Sequence, residues 1–211
     1  MALRGLAVCV LFALCTACGS TTTITPEEAE RFNRLVVEAN ALSEQYVWLE
    51  GRPRALPDRG KLERAVALYD EALGIYPESW QTFVLRGKTQ QALIQPEQAL
   101  LSFREAYRLN PNDVVVVYAY VGGALEANRP QEVLKVARRS VVDFPEETNF
   151  RTNLATVLIL VGRADEAIRQ ASMVLRVRPG DRIAARLLLI ASEIKSGLRE
   201  QPNSVADLTR R

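Results

Sequence analysis

Three residues of this chain carry a thiol, Cys9, Cys15 and Cys18, and all fall within the first eighteen of 211 positions. Elsewhere a thiolate could serve as a nucleophile or a metal ligand, but the chain holds no histidine to partner it. That removes the most used general base and the commonest metal ligand, and with them histidine triads and histidine-ligated zinc. Carboxylates do occur in pairs, Glu146 with Glu147 and Asp165 with Glu166. Each pair sits at a predicted helix start, where negative charge meets the positive end of the helix dipole. No glycine-rich phosphate loop is present. This inventory therefore yields no catalytic residue, no metal ligand and no cofactor. A net charge of +2 gives no reason to expect a nucleic-acid partner.

The cysteines make better sense as processing chemistry. After Arg4 comes the apolar run Leu6 to Leu14, nine residues long, whereas a helix needs about 20 to cross a hydrocarbon core. The length fits a secretory signal followed by small residues. Its end, Cys15-Thr16-Ala17-Cys18, resembles the lipobox of bacterial lipoproteins, with Cys15 where Leu is usual and Leu14 one place further out. The resemblance implies that residues 1–17 are a removed signal peptide and that Cys18 becomes acylated at the new N-terminus. Gly19 in place of Asp implies sorting to an outer membrane, with the protein on its periplasmic face. Cys9 and Cys15 then leave with the signal, so the mature chain has no thiol to oxidise, which suits an oxidising compartment. An ordinary signal cut near Ala17, leaving Cys18 as a free thiol, is one alternative; a retained membrane anchor is the other, against which the shortness of the run counts. Residues 18–25 form a polar tether.

Beyond the tether the signal is a repeat. Pro77, Pro111, Pro145 and Pro179 are each 34 residues apart, and Pro96 and Pro130 keep the same spacing. Twelve residues before each proline of the first set stands Ala65, Ala99, Val133 or Ala167. A fixed period of this length marks a repeat architecture. Within a unit the apolar spacing is helical: Ala99, Leu100, Phe103, Ala106 and Tyr107 fall at intervals of three and four. Thr25, Pro26 and Glu28 provide a capping box for a first helix running to about Leu49, with Phe32, Leu35, Val36, Ala39, Leu42 and Tyr46 as its stripe.

On these residues the units resemble tetratricopeptide repeats. The resemblance implies an all-α solenoid, a right-handed superhelix of helix-turn-helix units over residues 26–196. It divides into an altered unit 26–79, repeats 80–113, 114–147 and 148–181, and a capping helix 182–196. Gly87 is the small residue of the first helix of repeat 80–113; Val121 stands where Gly is usual, and Ala137 and Ala171 replace the large ring, changes of opposite size that conserve volume. Residues 50–60, with Arg52, Arg54 and Arg59, read as an inserted loop. The polar residues 197–211 read as a disordered tail.

Such arrays bind extended or helical protein segments in a concave groove lined by the first helices. The register gives the groove as Gln81, Val84 and Lys88; Val115, Tyr118, Gly122 and Leu125; Asn149, Thr152, Asn153 and Thr156; Ile183, Arg186 and Ile190. In the competing reading half of these side chains pack between adjacent helices. Some members of the family clamp a partner's carboxylate, but Lys88 matches no full set and Ala119 stands where a clamp Asn belongs. No clamp is expected, and the groove suits a neutral or apolar segment. Ile183, Leu187, Ile190 and Ile194 of the last helix form either a contact for a second copy of the chain or a partner, or a face covered by the tail or the neighbouring repeat. The leading expectation is a non-enzymatic adaptor, similar in plan to repeat lipoproteins of type IV or Flp/Tad pilus and secretin assembly. Adaptors that dock proteases or cell-wall enzymes are the second expectation, and an enzyme or small-molecule binder the third.

Overall fold

The computed structural model describes residues 23–47 and 56–208. The signal segment, Cys18 and residues 50–55 of the insert lie outside the described residues. Nine α-helices make up most of the described residues, with no strand among them. The chain divides into two compact units, one ending at Gln95 and the other beginning at Pro96. That division falls between the two helices of repeat 80–113.

The first unit holds α1 (Pro26–Ser43), α2 (Arg59–Ile75) and α3 (Trp80–Ala92). Thr25 begins α1 as a closed capping box: its Oγ1 accepts from Glu28 N at 3.2 Å, and its own N–H donates to Glu28 Oε2 at 2.7 Å. Such a cap contributes about 1 kcal/mol by satisfying orphan donors. Phe32, Val36 and Ala39 of α1 meet Ala65, Leu68, Tyr69 and Ala72 of α2 in one cluster, so the expected stripe is the buried one. The helix itself is shorter than expected, ending at Ser43 rather than near Leu49. Ser43 Oγ bonds back to Ala39 O at 3.0 Å and meets the Tyr69 hydroxyl at 3.2 Å. The backbone then bends, with Tyr46 N and Val47 N both donating to Ser43 O, and both side chains are buried. Tyr69 also donates to Asn40 Oδ1 at 2.7 Å, and its burial pushes the phenol up to about 12.

The second unit holds α4 (Pro96–Leu109), α5 (Val114–Glu126), α6 (Pro130–Asp143), α7 (Thr148–Leu160), α8 (Ala164–Val177) and α9 (Arg182–Lys195). The 34-residue register appears at the helix ends from α2 to α8. Pro77, Pro111, Pro145 and Pro179 each stand two residues past a second helix, α2, α4, α6 and α8. The caps keep step: Ser79, Asp113 and Asp181 each accept from backbone N–H groups of the helix that follows. Just past the first helix of each repeat, Ile94, Asn128 and Gly162 adopt φ of 60°, 55° and 75°, again 34 residues apart. Each closes its helix with a pair of hydrogen bonds, such as Ile94 N to Gln91 O and Gln95 N to Gln90 O. This is the Schellman ending, and it favours Gly or Asn. Ile94 is neither, and its side chain is 88% exposed.

One core runs through the second unit, from Ala99 and Phe103 to Ile190 and Leu208. The tightest approach lies at Gly123, where a Cβ would come within 2.4 Å of Phe103 Cδ2. Thus Gly123, two positions beyond Val121, receives the ring of the preceding repeat. Ala137 and Ala171 are both buried in this core.

The tail departs from its expected disorder. Residues 198–208 turn back on the unit, ending in a 3-10 turn at Ala206–Leu208, and both Pro202 and Leu208 are buried. Composition alone reads these residues as polar; Leu208 and Pro202 supply the apolar surface that anchors them.

Three consequences are measurable by thermal unfolding. Ile94→Gly relieves a left-handed β-branched residue and is expected to stabilise the chain by about 1 kcal/mol. Gly123→Ala overpacks Phe103 and is expected to cost about 1–3 kcal/mol. The raised Tyr69 pKa means that the unfolded chain loses its proton first as pH rises above about 10. The contribution of Tyr69 to stability is complete below that pH and is lost as pH climbs towards about 12. Between pH 9 and 12, wild type should therefore lose stability more steeply than Tyr69→Phe; parallel curves would contradict this.

Candidate partner-binding face

In the second unit the first helices of successive repeats adjoin one another, α5 beside α7 and α7 beside α9. This is the arrangement that turns their outward residues into one surface. Val115 and Tyr118 of α5 are 46% and 49% exposed, and Ile183 of α9 is 64% exposed. Asn149 and Arg186 are also exposed, while Gly122, Thr152, Asn153 and Thr156 are half-buried. Nine of the eleven residues assigned to the face in this unit therefore reach solvent. Leu125 and Ile190 do not: they are 8% and 2% exposed and belong to the core.

In the first unit, taken by itself, Gln81 and Lys88 of α3 are half-buried, while Val84 is 5% exposed. The correction at Val84, Leu125 and Ile190 has one cause. Adjacent helices approach closely enough that residues on the flank of the outward stripe are covered. Lys88 forms no ion pair among the described residues, and burial holds its ammonium below the usual lysine range.

Apart from Arg186, the side chains assigned to the face in the second unit are uncharged. Tyr118 lies edge-on to Phe150, with ring centroids 6.1 Å apart, and Phe150 stacks on Phe144 at 5.2 Å. Its ring is thus fixed on one side and wet on the other, a usual arrangement for an aromatic contact residue. Thr152 and Thr156 donate their hydroxyl protons to carbonyls of their own helix, Thr148 O and Thr152 O, and so keep acceptor capacity outward. Asn149 Oδ1 accepts from Arg178 at 3.3 Å. Asn153 is different: its Nδ2 is buried and has no hydrogen-bond partner among the described residues. A buried donor left unmet costs about 1–3 kcal/mol, so this amide is a group that gains from a ligand acceptor.

The second helices behave otherwise. Arg104 forks onto Glu132 with two bonds of 2.9 Å, and Glu132 Oε1 also accepts from the Tyr120 hydroxyl at 2.8 Å. Thirty-four residues on, Arg138 reaches Glu166 at 2.6 Å. These charges satisfy one another from repeat to repeat. The pairs Glu146–Glu147 and Asp165–Glu166 stand at or beside the starts of α7 and α8, and Asp165 is held below the usual carboxylate range by Lys195. Of the four apolar residues proposed as a contact on the last helix, Leu187 and Ile190 are buried and Ile194 packs partly against the core. Only Ile183 remains exposed, so most of that surface is used within the unit.

Several solved structures share this architecture. The crystal structure of YrrB, a TPR protein with an unusual peptide-binding site, is 22% identical and aligns over 83% of each chain with a TM-score of 0.65. A crystal structure of MamA protein is 17% identical, with a TM-score of 0.67 over 80% of this chain and 84% of that one. Thermobaculum terrenum O-GlcNAc transferase aligns with 72% of this chain but only 27% of its own, at 14% identity and a TM-score of 0.53. No family model matches the chain, and no curated protein does. The likeness establishes the fold: an all-α tetratricopeptide-repeat solenoid.

Proposed function

We propose that this chain is a non-enzymatic scaffold that binds an extended, neutral or apolar segment of another protein on the first-helix face of its second unit. The observation that carries the reading is the unmet Asn153 amide on α7, the helix whose Phe150 holds half-wet Tyr118, on a face where charges are few. An extended segment carries backbone carbonyls that suit Asn153 and side chains that suit Tyr118, Val115 and Ile183. YrrB, described as having a peptide-binding site, lends this reading support from a similar fold.

The scaffold is tethered, in our reading, through acylated Cys18 to the periplasmic face of an outer membrane, with residues 18–25 as the spacer. The support is the sequence: an apolar run too short to span, followed by Cys15-Thr16-Ala17-Cys18 and then Gly19. A small anchored repeat scaffold of this plan suits pilus or secretin assembly. Recruitment of envelope proteases or cell-wall enzymes uses the same face.

Two measurements test these statements. A purified partner, once captured from envelope extract and identified, should bind Tyr118→Ala and Asn153→Ala at least about tenfold more weakly, as expected of an aromatic contact and a directed hydrogen bond. Unchanged affinity in both would remove the face as the docking site. Cys18→Ser should shift the protein from the membrane to the soluble fraction and abolish fatty-acyl mass on the mature N-terminus. Retention in the membrane would contradict the anchor.

A further inference from the structure

The tail holds its place by a small set of contacts. Arg186 Nε donates to Leu208 O at 3.0 Å, and the Gln201 side-chain amide donates to Ile159 O. Arg199 reaches Glu193 Oε2 and Asp207 O, each at 3.2 Å. Leu208 is 5% exposed within the core cluster, and Val205 packs partly against it. The turn between them is closed from within: Asp207 Oδ2 accepts from Asn203 N at 3.2 Å and from Ser204 Oγ at 2.9 Å.

The location of these anchors matters. Ile159 lies on α7, three residues beyond Thr156, and Arg186 lies on α9 among the residues that the repeat register assigns to the partner face. Both are first helices. In one of the anchors the tail uses a group that any polypeptide segment has, the Leu208 carbonyl; in the other it uses the Gln201 side chain. Gln201, Asn203 and Ala206 meanwhile remain exposed. A segment that buries two apolar side chains, Pro202 and Leu208, offers a backbone carbonyl and leaves several residues solvated is bound in the manner of a peptide ligand.

We infer that residues 198–208 act as an internal ligand, occupying the α7–α9 end of the first-helix face until an extended partner segment displaces them. This rests on the reading of that face as the docking surface, and it specifies the partner further. The displacing segment carries an aliphatic anchor in the place of Leu208 and presents a backbone carbonyl to Arg186. Because the tail is attached, its effective concentration is high, and even a weak intrinsic contact competes strongly.

The test uses a fluorescent peptide with the sequence of residues 198–211, added to full-length chains. It should bind Leu208→Asp, whose own tail is released, at least tenfold more tightly than it binds wild type. Binding should be lost when Arg186→Ala is added, or when the peptide itself carries Leu208→Asp. No binding to a folded Leu208→Asp chain, or equal binding to wild type, overturns the inference. Should Leu208→Asp fail to fold, hydrogen exchange on Arg186→Ala decides instead, since Arg186 is exposed and its loss leaves the core intact. Exchange across residues 203–208 should rise at least tenfold there and stay unchanged elsewhere; unaltered exchange overturns the inference. Neither readout needs the partner. Tail release without partner capture would thus count against the scaffold, and partner capture at Tyr118 without tail release would count against the internal ligand alone.

Discussion

Two helices side by side cannot enclose their own apolar faces, and the rest of this structure answers that constraint. Each pair must lean on the next at a fixed distance, and Phe103 against Gly123 sets it most tightly in the second unit. The ring of one repeat enters a space that exists only because the following helix lacks a side chain there. Left-handed residues at Asn128, between α5 and α6, and at Gly162, between α7 and α8, close those two hairpins alike, so that the next contact falls in register. Ile94 shows how strongly the register is imposed: a β-branched residue accepts an unfavourable backbone so that its helix can end in step.

Stacking then separates two kinds of surface. Second helices place opposite charges 28 residues apart, Arg104 with Glu132 and Arg138 with Glu166, so each repeat neutralises its neighbour. Such half-exposed pairs contribute little stability each, about 0–1 kcal/mol, but they leave few charges seeking a partner. The first helices carry the opposite pattern. Tyr118 is anchored by Phe150 and still half in water, and Asn153 holds a buried donor that the described residues do not satisfy. Unmet valence on one face and satisfied valence on the other is the physical basis for assigning docking to the first helices. The tail adds to this, since its contacts fall on α7 and α9.

Much of the fold was legible in the sequence because proline and small residues report backbone events. A proline two residues past every second helix, and alanines where helices cross, fix the repeat boundaries without any tertiary information. The left-handed positions were not legible, since Ile, Asn and Gly share no composition signal and only their spacing unites them. Nor was the end of α1, which depends on Ser43 meeting Tyr69 from another helix. The outward direction of the repeat register agrees with the exposure of Val115, Tyr118 and Ile183. It disagrees at Val84, Leu125 and Ile190, because a repeat register gives the angle of a side chain but not how far the neighbouring helix covers it. The tail was misread because one leucine and one proline scarcely alter the polarity of a segment, yet they suffice to dock it.

The central claim is that first helices, and not second helices, meet the partner. Site-specific photocross-linking in cells tests it most directly, with benzoylphenylalanine placed at position 118 on α5 or at position 142 on α6, whose Val142 is 76% exposed. The account predicts a discrete cross-linked protein from position 118 and none from position 142. Cross-links from position 142 with none from position 118 would contradict it.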